Sequence, residues 1–154
     1  SSKFSMNDII IEVNELLHQP LLNKNVKLIV QENMPSIFAD RLRIREVIQN
    51  LIENAVKYIG NQPEPKIEIG YDYEKKHFFV QDNGIGIDDA YHTKIFGLFE
   101  KLDARSEGTG IGLALVKRII ELHEGKVWVE SGLGKGATFF FTISENNIFT
   151  GETK

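Results

Sequence analysis

The chain has no cysteine, and only four prolines interrupt its 154 residues. Without cysteine there is no disulfide framework, no thiolate nucleophile and no cysteine metal site, and the redox compartment is left open with the cytosol as default. Long apolar runs are missing as well. Nothing approaches the roughly 20 residues that span a bilayer, and Ser1-Ser2-Lys3-Phe4 lacks the apolar stretch of a signal peptide, so a soluble chain is expected. Neither sign of charge dominates: 18 basic and 22 acidic residues are interspersed, giving a formal net charge of -4. That balance argues against a nucleic-acid surface, while local basic groups for phosphate remain available.

What is present is enough apolar material for one core. Hydrophobic residues make up 42% of the chain and aromatics 10%, which suits a single domain of this length. Ile9, Ile10, Val13, Leu16 and Leu17 recur at a helical period between Asn7 and Leu22, with Asn7 or Asp8 as cap and Pro20 near the end. Two short strands are expected around Met34-Pro35-Ser36. A second helix follows from Arg41 to Ile59, its stripe made of Ile44, Val47, Ile48, Leu51, Ile52, Ala55 and Val56. "KIEIGYDYEKKHFFVQD" reads as a hairpin, the region from Gly110 to His123 as a helix, and the residues around "GLGKG" as a closing hairpin. Strands are mostly neighbours in sequence. That order predicts an α+β fold, a two-layer sandwich with a mixed, mostly antiparallel sheet and helices packed on one face.

Ten of the 13 glycines fall between Gly84 and Gly136. Gly108, Gly110 and Gly112 precede an amphipathic helix, where free N–H groups suit phosphate, although a merely flexible glycine-rich helix start fits equally well. Their spacing lacks the third glycine of a dinucleotide fingerprint, because Leu113 stands there, and no phosphate-loop Gly-Lys-Ser/Thr exists. On the second helix, Asn50, Asn54 and Lys57 share an edge beside the apolar stripe. Asparagine costs roughly 0.5 kcal/mol inside a helix relative to good helix formers, so two of them invite a function. An amide oxygen suits Mg²⁺ held jointly with nucleotide phosphates, and Lys57 can meet a phosphate as a point charge. Glu53 is read as a solvated surface residue. "DNGIGID" is a strong turn signal and needs no ligand to explain it; in a nucleotide pocket, Asp82 would accept from the adenine amino group while Gly84 and Gly86 give the base room.

Together these motifs resemble the ATP-binding catalytic domain of sensor histidine kinases, in the superfamily shared with gyrase, a heat-shock chaperone and mismatch-repair ATPases. "NLIENAVKY" (50–58) is similar to the asparagine box, "DNGIGI" (82–87) to the first glycine box, "FGLF" (96–99) to the phenylalanine box and "GTGIGLALVK" (108–117) to the second glycine box. "GKGATFFFTI" (134–143) resembles the closing strand pair. The likeness implies ATP and Mg²⁺ as cofactors, with Asn50, Asn54 and Lys57 as the catalytic set. Asn54 would hold Mg²⁺ with Asn50 assisting. Tyr58 would lie near the adenine and Asp82 on its amino group, with Gly84 and Gly86 giving the base room; Phe99 would anchor the lid, Gly108, Gly110 and Gly112 would hinge it and Lys101 would reach the phosphates, and Ile87, Thr109, Ile111, Leu113 and Thr138 complete the ATP-binding set. Lys101 reads as well as a solvated loop lysine. Only eight residues, Glu100 to Glu107, separate Phe99 from Gly108, a modest lid.

Hydrolysing members of the superfamily carry a glutamate four residues before the metal-binding asparagine. Here that position is Asn50, which favours phosphoryl transfer over hydrolysis; an ATP-hydrolysing clamp and a binding module without kinase activity are the alternatives. None of His18, His77, His92 and His123 is followed by the acid of the family's acceptor motif. The resemblance therefore implies an acceptor histidine on a separate dimerisation domain, a response regulator receiver domain downstream, a monomeric fragment and a homodimeric parent. It places the domain in the cytoplasm and leaves a membrane anchor in the parent open. Residues 1–6 are read as linker or tag remnant, 7–144 as the catalytic domain and 145–154 as a polar, frayed tail.

Overall fold

The computed structural model describes residues 1–97 and 112–150. Strand β1, Ser2–Ser5, leads into helix α1, Met6–Leu16, capped by Ser5, whose hydroxyl accepts from the Asn7 N–H at 3.1 Å. α1 buries Met6, Ile9, Ile10 and Val13. The single helix expected up to Leu22 breaks at Leu17 and resumes as α2, His18–Asn23. Pro20 accounts for the break, since it has no N–H to offer the Leu16 carbonyl and its ring crowds that group.

Strands β2, Lys27–Val30, and β3, Ser36–Ala39, follow. Helix α3, Arg41–Lys57, starts at Asp40, which caps it by accepting from the Arg43 N–H at 3.3 Å. All seven apolar positions of its stripe are buried. The hairpin of β4, Lys66–Asp72, and β5, His77–Asp82, comes next, then two single turns of 3₁₀ helix at Asp89–Tyr91 and Lys94–Phe96. Helix α4, Gly112–Leu122, and the strands β6, Val127–Ser131, β7, Ala137–Phe141, and β8, Ile148–Phe149, complete the described chain.

The main sheet has the order β2-β4-β5-β7-β6, and of its four pairings only β2 with β4 is parallel. α3 lies between α1 and α4 in one helical layer. Alternate sheet residues facing that layer, among them Ile67, Ile69, Phe78, Val80, Phe139 and Phe141, are buried, and Phe78 stacks on Phe141 at 5.0 Å between ring centres. The architecture is the expected α+β sandwich.

Two further features differ from the sequence reading. β2 and β3 part into different sheets, because β3 joins β1 and β8 in a small antiparallel sheet. Both ends, read above as linker and frayed tail, thus contribute paired strands; runs of four and two residues are too short to display an alternation. The expected lid lies, from residue 98 to residue 108, outside the described residues. Among the described residues no helix is long and apolar enough to cross a membrane.

Candidate functional site

Strand β5 ends on Asp82, which is 8% exposed and is the one buried charged side chain among the described residues. Its carboxylate accepts from the Gly84 N–H at 2.8 Å. Burial pushes the carboxyl up to about 6, while hydrogen bonds from the Gly84 and Ala137 backbone pull the other way. A carboxylate has about four lone-pair positions and no proton to give at neutral pH, so beyond these two N–H groups it retains acceptor capacity for a ligand's donor.

The loop after Asp82 is built into its surroundings by backbone. Asn83 accepts from the Lys66 N–H and donates to the Glu64 carbonyl, both at 2.9 Å, which ties the turn to the start of β4. The Ile85 N–H donates to the carbonyl of Tyr58, the residue that ends α3, at 3.0 Å. A Cβ at Gly84 would lie 2.4 Å from that same carbonyl, and one at Gly86, whose φ is +79°, would lie 2.0 Å from the Gly132 carbonyl. The space expected for a flat base at these two glycines is therefore taken by protein backbone. They serve to bring α3, the Asp82 loop and the β6–β7 turn together.

Helix α3 carries the other half. Asn50 donates its amide N–H to the Glu46 carbonyl at 2.8 Å, which orients the amide. Its Oδ1 lies 2.8 Å from where a Cβ of Gly112 would stand, so α4 begins against Asn50. Asn54, one turn on, is half-buried, as is Lys57, whose Nζ is 5.8 Å from the centre of the Tyr58 ring. Glu53 is exposed, as read. From Asn50 to Tyr58 the edge runs roughly 12 Å along the helix. One end of it meets Gly112, the other the Asp82 loop.

Of the remaining expected residues, Ile87 is buried in the same loop, and Leu113 packs against the core. Phe96 is buried edge-on against Phe139, with ring centres 6.0 Å apart. Phe99, Lys101, Gly108, Thr109, Gly110 and Ile111 lie outside the described residues. Thr138 needs correction. It pairs with Gln81, whereas Ala137 pairs with Asp82; successive strand side chains alternate, so Thr138 faces away from the helical layer and Ala137 stands beside Asp82. The alternation of buried Ala137, Phe139 and Phe141 carried that signal in the sequence.

Ser131 was missed, and its sequence position offered no cue. Its hydroxyl accepts from the Ile87 N–H at 2.8 Å. Of the four histidines, His92 places Nε2 at 3.0 Å from the Ile87 carbonyl, and His123 accepts from the Asp40 N–H at 3.2 Å while its Nδ1 meets the Ile119 carbonyl at 2.8 Å. His77 packs edge-on against Phe140 and Trp128, and His18 is exposed.

Comparison with known proteins points to one family. Residues 39–147 match the family model described as "Histidine kinase-, DNA gyrase B-, and HSP90-like ATPase". The methanogenesis regulatory histidine kinase FilI of Methanothrix harundinacea is 43% identical over 141 residues, covering 90% of this chain and 16% of FilI. The phytochrome-like protein Cph1 of Synechocystis is 46% identical over 119 residues, 75% of this chain and 16% of Cph1. The chain thus spans about a sixth of these relatives. Among solved structures, the catalytic domain of histidine kinase ThkA superposes with a TM-score of 0.74 at 30% identity, covering 92% of this chain and 94% of that one. Full-length ShkA in complex with AMPPNP gives 0.76 at 29% identity, over 91% of this chain and 30% of ShkA.

Proposed function

Because the chain belongs to the family of histidine kinase-, DNA gyrase B- and HSP90-like ATPases, we propose that it is the catalytic domain of a sensor histidine kinase, binding Mg-ATP and delivering the γ-phosphoryl group to a histidine. That histidine stands on a separate dimerisation domain of a homodimeric parent. A response regulator receiver domain takes the group onward, as the ThkA complex with the response regulator TrrA suggests by analogy. The work is cytoplasmic, where ATP and such regulators meet.

The observation that carries this reading is Asp82. A carboxylate is an acceptor throughout, and this one is buried at a strand end beside the α3 terminus. Adenine's exocyclic amine, a neutral donor on a flat apolar body, is the ligand group that matches it. Asn50 and Asn54 fit Mg²⁺ that arrives with a triphosphate: two neutral amide oxygens add no charge, and the phosphates supply it. When bound, the ion neutralises charge on the transferring phosphoryl group. Lys57 adds a positive charge on the same edge, and Asn50, being an amide, cannot act as a base toward water. Exposed Glu53 is turned out to solvent. Delivery to an external acceptor follows better than hydrolysis.

Calorimetric titration tests the binding step. Wild-type chain should bind ATP with Mg²⁺, and Asp82→Asn should lose about 10- to 100-fold in affinity, the worth of one hydrogen bond to a charged group. An unchanged affinity would remove Asp82 from the site.

A further inference from the structure

One residue in the Asp82 loop, Ile87, has the backbone groups on both of its sides held by side chains from elsewhere in the chain. The Ile87 N–H donates to Ser131 Oγ at 2.8 Å, and the Ile87 carbonyl accepts from His92 Nε2 at 3.0 Å. The Ser131 hydroxyl donates its own O–H to the Gly136 carbonyl at 2.5 Å, so its rotor is committed and a lone pair is left facing Ile87. Donation by His92 likewise fixes the tautomer that carries the proton on Nε2.

The placement gives this grip a direction. Ser131 pairs with Ala137, and Ala137 pairs with Asp82, so the three stand in one cross-strand row on the helix side of the sheet. Strand spacing puts Ser131 roughly 10 Å from Asp82 along that row. The loop that leaves β5 at Asp82 returns to the row at Ser131 after five residues, pinned on the way by the Tyr58 carbonyl. Its two ends are then the base-binding carboxylate and the backbone of Ile87, held on both sides.

We propose that Ser131 and His92 are positioning residues for base recognition: by holding the Ile87 N–H and carbonyl they fix the loop so that Asp82 meets the exocyclic amine of adenine in good geometry. The inference rests on the adenine-nucleotide reading above. Hydrogen bonds weaken steeply with misalignment, so a released loop costs the amine contact more than it costs contacts to sugar or phosphate. Selectivity for the amine, rather than affinity alone, is what the clamp controls.

The test compares ATP with inosine triphosphate, in which a carbonyl replaces the amine, for each variant with Mg²⁺ present. Wild type should prefer ATP. Ser131→Ala should lower ATP affinity about tenfold, as expected for one weakened hydrogen bond to a charged group, and leave inosine triphosphate affinity nearly unchanged, so that the preference collapses. Ser131→Thr keeps the hydroxyl and should keep the preference. His92→Ala should behave like Ser131→Ala, whereas His92→Gln, which restores a donor near Nε2, should recover it; this second pair decides the matter if Ser131→Ala does not fold. Parallel loss of both affinities, or no loss, in a wild-type background that prefers ATP would overturn the clamp alone. Absence of any ATP preference in wild type would overturn the underlying reading and the clamp with it.

Discussion

At neutral pH the Asp82 carboxylate is charged in a place that resists charge, and this sets two opposed pH dependences. Its native pKa, pushed up to about 6, lies above the ordinary 3.8. The folded protein therefore binds this proton more readily than the unfolded chain. The group's contribution to stability is full below about pH 4 and is lost as pH rises through about 6, on the order of 3 kcal/mol in all. Asp82→Asn should accordingly stabilise the nucleotide-free protein at pH 7, with the advantage shrinking toward pH 4; melting temperatures of both proteins across that range check it. Nucleotide binding has the other sign. The amine requires the ionised acceptor, so ATP affinity should fall as pH drops below about 6, and a flat profile between pH 5 and 7 would contradict the assignment. Asn in place of Asp fails in binding because, with its oxygen turned to the Gly84 N–H, its NH₂ would face the donor of adenine. That Asp82 was special could be read from DNG and its neighbours; that Ser131 matters could not, since a lone serine at a strand end has no pattern until the strand register sets it in Asp82's row.

At the level of elements, α3 is one helix with two duties. Its apolar stripe, legible residue by residue because seven positions keep a 3.6-residue period, fastens it to the core. Leu51→Ala should cost about 2–5 kcal/mol in denaturant unfolding, as for other buried leucines. Its polar edge is only half-buried, so Asn54→Ala should leave the unfolding midpoint nearly unchanged while removing Mg²⁺-dependent phosphoryl transfer. Survival of both Mg²⁺ dependence and transfer would place the metal elsewhere. The Asp82 loop depends on close backbone approach instead. Gly86→Ala adds a side chain at a positive φ against the Gly132 carbonyl, and should destabilise by about 1–3 kcal/mol or more, visible as a lowered unfolding midpoint. Less of this layer could be read in advance. The separation of β2 and β3 into different sheets, and the strands at both ends, depend on partners distant in sequence, whereas the Leu17 break is local and follows from Pro20.

For the whole molecule, the sandwich sets both parts of the site at one rim: Asp82 at a strand end, the asparagine edge of α3 running from it to the start of α4. The open question of chemistry is decided by which acceptor takes the phosphoryl group. With neutral Asn50 at the position four residues before Asn54 and Glu53 exposed, water has no base at either place, and none of the chain's four histidines has the acid that follows the family's acceptor. The direct measurement combines this chain, Mg²⁺ and γ-labelled ATP with the separately expressed dimerisation domain of its parent. Acid-labile, alkali-stable label on a histidine of that domain is expected, with little free phosphate from the chain alone. Free phosphate released by the chain, with no label on the acceptor, would contradict transfer to histidine.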